Sequence, residues 1–452
     1  MVIMEKEKMM KKLTLIVLAL TFAACDLEVT NPGPVQDSFL VTEDAQVGVV
    51  NGAGRALSSA MNWVSYTGGA ISREVTPSGS IGSFGISLRT QEGYLDANET
   101  STHWNTSQRA RWMAESGAAR MKEEVYDDYS SNANYAQILL YAGYANRLLG
   151  ENFCCAVIDG ESAQDGSTYF DRALDNFNEA ITVAKAAGET DLATAAQAGR
   201  ASVKVWKGDW SAAVSDADAV LSAGGDNYKY EMPYYDGYGI DVYNRIYYAS
   251  SGDGPYRANT VWHTAYEEYS QEMGDSRVGF IFTEKDGGPD WTDLDGTTYQ
   301  IESGDATVNG KIIPWLPQQK HDQRTSPIRL SSSQEMYLIK AENALNNGSV
   351  DDALTNINAV RTLAGQDAVT ATTAAEGWTM LKRERGIELW LEARRLGDMR
   401  RWKDASAAGS YHEYETTNWE GSAYTPAYLS FPIGQSEIDT NPNVTASDGR
   451  PY

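Results

Sequence analysis

Apolar residues recur at three- and four-residue steps through this 452-residue chain, and that spacing commits its middle to helices. Phe170, Ala173, Leu174, Phe177, Ala180, Ile181 and Ala184 fall on one helical face behind Ser167 and Thr168, which can cap the first turn. Upstream, Ala136, Leu139, Leu140, Tyr144 and Leu148 repeat the stripe until Gly150. A helix from Leu192 to Trp206 follows, then a Gly208-Asp209 break and a helix using Ala213, Val214, Ala217, Val220 and Leu221. The unit returns later. Met336, Ile339, Ala344 and Leu345 end at Gly348, and Ala353, Leu354, Ile357 and Val360 follow Ser349-x-x-Asp352, a capping-box pattern.

Each unit is a helix, a short Gly-containing turn and a second helix, with Ala where neighbours must approach closely. The composition resembles tetratricopeptide-like hairpins, although Trp-x-x-Leu-Gly is only partly present. An isolated hairpin cannot bury both faces, so the hairpins must stack. The expected fold is mainly α, with stacked hairpins over residues 135–222 and 333–402.

Two segments break the pattern. Residues 66–104 are rich in Gly, Ser and Thr, and residues 225–325 mix Gly, Asp and Pro with many Tyr and Trp. A long irregular stretch inside a compact domain is either functional or disordered, and the aromatic content argues against disorder. The second of them is the best place to look for a binding surface.

The amino terminus fixes an address. Lys8, Lys11 and Lys12 precede an apolar run from Leu13 to Ala24, which is too short to span a bilayer and reads as an export signal over residues 1–24. Ala23-Ala24-Cys25 resembles a bacterial lipobox, so Cys25 is expected to carry lipid as the first residue of a single 25–452 domain. Met9 or Met10 is an alternative start, because Glu5 and Glu7 spoil the leader's charge. Losing the leader takes the net charge from −25 to −27, a surface that repels nucleic acid and anionic headgroups. No Lys/Arg run offers a phosphate-backbone footprint. Cys154 and Cys155 are neighbours and cannot staple distant segments; they read as small buried hydrophobes or as a vicinal disulfide.

No motif carries catalysis. Gly-x-Ser-x-Gly, His-Glu-x-x-His and Gly-Lys-Ser/Thr patterns are absent, and Gly79, Gly82 and Gly85 miss the dinucleotide spacing. Asp293-x-Asp295-Gly296 with Glu302 follows part of a calcium loop, but Trp291 stands where its first Asp is required. His103, His263, His321 and His412 lack zinc-ligand spacing. The chain is expected to be a binding protein without metal, cofactor or enzymatic activity.

Ordered blocks along the chain resemble the SusD/RagB family of outer-membrane nutrient-binding lipoproteins. They are the Cys25 to Pro32 start, Gln334 to Glu342, Asn358 to Arg361, Glu384 to Leu389, Glu392 to Trp402, and Phe431 to Ile438 with Asn441-Pro442. Ala393 replaces a Gly often found there, and Gly397 a common aromatic. The resemblance implies a helical platform that captures an oligosaccharide, or a peptide, and delivers it to a partner TonB-dependent (SusC-like) outer-membrane transporter. A tetratricopeptide-type protein-binding scaffold without a transport role is the alternative. The resemblance places ligand-contacting aromatics in the irregular loops; in order of preference these are Trp291, Trp104, Trp315 and Tyr66, with Trp63 beside them. Flat rings suit the apolar face of a pyranose. The alternating charges from Glu384 to Arg401 read as a structural lock between the last helices and the hairpins.

Overall fold

A computed structural model describes residues 37–79, 86–237, 242–250, 256–423 and 429–448; the leader and Cys25 lie outside them. The main helices are α1 (Gln46–Ile71), α2 (Ala97–Arg120), α3 (Ala133–Asn152), α4 (Ser167–Ala187), α5 (Thr190–Trp206), α6 (Trp210–Gly224), α7 (Ala265–Met273), α8 (Ser333–Asn346), α9 (Val350–Leu363), α10 (Ala374–Glu388) and α11 (Arg395–Asp404). Each of α1 to α5 packs on the next helix; α8 then packs on α6, α9 and α10. The two expected groups of hairpins therefore form one continuous stack, as the amphipathic periodicity requires.

Close approach explains the tightest part of that stack. The Phe177 ring of α4 lies against Gly143 of α3 and Gly199 of α5, where an added Cβ would sit 2.5 and 2.4 Å from ring atoms. Glycine is unfavourable inside a helix by roughly 1 kcal/mol relative to alanine, and here it lets two backbones close on one ring. The predicted caps differ from those formed. Ser167 is the first helical residue, and its N–H goes to the Asp165 carboxylate at 2.8 Å. Ser349 makes no cap to the backbone; its hydroxyl instead donates to Asp352 at 2.7 Å.

Helix α1 runs on through Ile71 and α2 begins at Ala97, so the first irregular segment is shorter than its composition suggested. The Gly-, Ser- and Ala-rich end of α1 is buried, which hides the polar face that would have revealed a helix. The second irregular segment is closed at its base by an antiparallel pair, Lys229–Met232 with Ile328–Ser332. Within it, Asp290–Thr292 and Thr298–Gln300 form a hairpin. The calcium-like residues make its turn, where the Asp293 carboxylate accepts the Thr297 N–H at 2.9 Å. No group of His, Cys, Asp and Glu among the described residues is arranged to hold a metal ion.

The charged C-terminal helices are buried, and their charges are paired. Arg394 reaches Glu151 of α3 at 3.1 Å and Glu335 of α8 at 2.6 Å. Arg385 and Arg401 converge on Asp398 at 2.9 and 2.8 Å, and Arg401 also binds Glu342. Arg277, from the second irregular segment, and Arg329, from the strand at its base, both bind Glu388. Burial opposes ionisation of Asp398, yet Arg385 and Arg401 hold its carboxyl well below the usual range. The same balance holds Glu335 down, against burial, through Arg394 and Arg147. Breaking one member of such a cluster leaves an uncompensated buried charge, which costs about 3–5 kcal/mol. Arg394→Leu should lose stability of that order in urea unfolding; a loss below about 1 kcal/mol would show that the lock is not structural.

Candidate functional site

The aromatic residues expected to face ligand are mostly interior. Trp104 is 0% exposed, Tyr66 1%, Trp291 4% and Trp315 8%. Trp104 lies edge-on to Phe153 and donates Nε1–H to Glu437 at 3.1 Å. Trp315 is covered by the Arg257 guanidinium, 4.2 Å from its centroid, and donates to the Ser250 carbonyl at 3.0 Å. Half-buried Trp63 has Arg245 over its face at 3.4 Å and the edge of His103 at 5.3 Å. Large rings on Gly- and Ser-rich elements fill the space between those elements, so these five are packed and leave little ring face for a ligand.

Half-buried rings from two distant parts of the chain gather elsewhere, with a lysine from a third. Trp262 and His263 lie in the turn between the short strand Asn259–Thr260 and α7; Tyr414 and Trp419 come from the segment after α11; Lys311 joins them from a hairpin loop. The His263 and Tyr414 rings stack at 4.0 Å and 29°. Trp262 lies 6.0 Å from Trp419, and Lys311 Nζ sits 5.0 and 4.8 Å from their two centroids. Beneath them, Leu88, Val308 and Ile313 form a small apolar base. The Trp419 Nε1–H is buried without an acceptor among the described residues.

The local backbone is forced into this shape. His263 adopts φ 55°, a left-handed conformation that costs a non-glycine residue of the order of 1–3 kcal/mol. Three side chains hold it there. Thr260 Oγ1 accepts the Trp262 N–H at 3.1 Å, Thr264 Oγ1 donates to the Val261 carbonyl at 2.7 Å, and Glu267 accepts the His263 N–H at 2.6 Å. The other Glu267 oxygen accepts the Trp291 Nε1–H at 2.6 Å. Trp291 is thus tied to the surface through one carboxylate, while its own ring packs on Phe280, Phe282 and Tyr299.

Electrostatics keep the stacked rings neutral. Burial, then Lys311, Arg73 and His412, lower the His263 pKa to about 4, so its imidazole is uncharged at pH 7. Burial and Glu268 push Tyr414 up to about 12. His412 and Glu268 pair at 3.0 Å on the rim, and Asn309 binds Glu420 at 3.1 Å nearby. A surface of uncharged ring faces bordered by amide, carboxylate and ammonium groups can stack on an apolar face while hydrogen-bonding hydroxyls. Sequence reasoning placed Trp262 only in an aromatic-rich stretch and passed over Tyr414 and Trp419. The available signal was Thr264-x-x-Glu267 directly after Trp262-His263, a capping-box pattern at which the chain must turn sharply.

Comparison with known proteins follows the same lines. Residues 317–449 match the family model described as the SusD family. No curated protein sequence matches significantly. Among solved structures, the fold is similar to a SusD-like carbohydrate-binding protein from Bacteroides vulgatus, with 16% identity, 90% of this chain and 98% of that one covered, and a TM-score of 0.63. It is also similar to surface glycan-binding protein A from Bacteroides uniformis, with 13% identity, 89% and 99% covered, and a TM-score of 0.64. A SusD superfamily protein from Bacteroides thetaiotaomicron gives 15%, 90% and 99%, and 0.63. At these identities the neighbours speak for the fold alone, and that fold is SusD-like along nine-tenths of the chain. Residues 317–449 thus match the SusD family, on a chain whose fold is SusD-like.

Proposed function

We propose that the protein is a lipid-anchored cell-surface receptor that captures an oligosaccharide on the Trp262, His263, Tyr414 and Trp419 surface. It then delivers the glycan to a SusC-like TonB-dependent transporter in the outer membrane. The convergence of uncharged, half-buried rings on a backbone turn held under strain carries this reading. Supporting it are the family match, glycan binding by neighbours whose names state it, and the lipobox ending at Cys25. No helix among the described residues is long and apolar enough to cross a membrane, so the acyl chain on Cys25 is the anchor in this reading. The protein binds and presents its cargo without changing it. Trp291 serves as a strut, and Trp63, Tyr66, Trp104 and Trp315 brace the elements that present the surface.

Titration calorimetry against a panel of neutral oligosaccharides tests the site. Trp262→Ala and Trp419→Ala should each weaken the best binder by about 1–3 kcal/mol in variants that remain folded. Unchanged affinity would move capture to another surface, and turnover of a glycan would replace a receptor with an enzyme.

The strut gives a pH test. Burial raises Glu267 to about 7 despite its two hydrogen bonds. A carboxyl whose folded pKa lies above its unfolded value contributes stability that is present below the unfolded pKa and lost as pH rises through the folded one. Between pH 6 and 8 the native protein should therefore lose stability relative to Glu267→Gln. Parallel stability curves would contradict the assigned burial.

Anchoring is tested by Cys25→Ser. The variant should leave the membrane fraction and lose incorporation of labelled palmitate; retention of both would disprove acylation at this thiol.

A further inference from the structure

Nearly every arginine here has a partner, as expected of a chain with 62 acidic and 37 basic residues. Among the described residues, Arg55, Arg89 and Arg109 have neither an ion pair nor a side-chain hydrogen bond. Arg89 lies over the Tyr94 ring at 5.7 Å. Arg55 of α1 and Arg109 of α2 are exposed and line the same cavity of 260 Å³, with Ser59 and Thr106 between them.

The sequence leaves both cations open. On a helix, a partner would stand three or four residues away. Around Arg55 those positions hold Asn51, Gly52, Ser58 and Ser59; around Arg109 they hold Asn105, Thr106, Trp112 and Met113. None is acidic. Each arginine also lines a second, adjacent cavity. Arg55 lines a neighbouring cavity of 520 Å³ beneath Tyr235, which is 65% exposed, and Arg109 lines another of 520 Å³ beside Trp112, which is 57% exposed. Asp159 and Glu437 border the second, but Asp159 is bound to Arg111 and Glu437 to Trp104.

We propose that this trough is a second binding site, separate from the Trp262 surface, for an oligosaccharide bearing carboxylate or sulfate groups. An arginine fork matches such groups in a bidentate arrangement, and the exposed rings at each end offer stacking faces to sugars. Two open guanidinium groups on a strongly acidic protein would concentrate anionic ligand at one place on an otherwise repelling surface. The proposal deepens the reading of the protein as a glycan receptor and rests on it.

The test is calorimetry of the whole exported protein with an oligogalacturonate, a heparin-derived oligosaccharide and a neutral cello-oligosaccharide. At least one acidic ligand should bind, more weakly as salt rises, and Arg55→Gln/Arg109→Gln should weaken it tenfold or more at unchanged Tm. Trp262→Ala should leave that acidic ligand's affinity intact. Binding of neither acidic ligand, or equal binding and equal salt dependence in the double variant, overturns the proposal. Loss of neutral-glycan binding in Trp262→Ala alone bears on the receptor reading and leaves this site to be judged on its own variants.

Discussion

Arg394 stands between a carboxylate from the early hairpins, Glu151, and one from the late hairpins, Glu335. All three are nearly inaccessible to water, so each depends on the others for its charge. Around this contact, Asp398, Glu342, Glu384, Glu388 and Glu392 repeat the arrangement with Arg385, Arg401, Arg361, Arg277, Arg329 and Lys320. Hydrophobic burial alone would let stacked helices slide by a turn with little change in area. Fixed charge pairs do not, because a slip would strand several ions in a medium that cannot solvate them. Rigid register of the whole helical stack follows from that constraint.

The frame matters because it reaches the irregular half of the molecule. Arg277, Arg329 and Lys320 come from that half and are held by α10 and the turn after it. Nearby, Glu74 accepts the Leu391 N–H at 2.8 Å, and its backbone carbonyl accepts the Trp390 indole N–H at 3.1 Å. Leu391 and Ala393 both take positive φ there, at 57° and 60°, where side chains fit poorly. Loops that lack long strands or helices thereby gain fixed attachment points. From these, α7 and the hairpin loop can hold Trp262, His263 and Lys311 opposite Tyr414 and Trp419. A stacking surface needs such support, since rings free to rotate would lose entropy on binding.

The helical half was legible because its stripes are periodic: Phe170 to Ala184 and Met336 to Leu345 lie on helices close to where the spacing put them. The charge lock was legible for the same reason, as alternating signs at helical steps. Helix α1 was not, because Gly68, Gly69 and their Ser and Thr neighbours read as loop while being buried on every side. The ring surface was least legible. Its members lie up to about 157 positions apart, from Trp262 to Trp419, and only the fold brings them together. Composition could point to an aromatic-rich stretch, but it could not separate Trp291, tied inward by Glu267, from Trp262 at the rim.

The central claim is that four rings from two separate segments form one stacking surface because the buried ion pairs hold their elements in place. A crystal structure with the tightest-binding neutral oligosaccharide bound tests it most directly. A sugar ring lying flat on Trp262 or Trp419, with Lys311 or the Glu268 carboxylate against its hydroxyls, is the predicted outcome. A sugar seated on the opposite side of the helical stack, with those rings left bare, would contradict it.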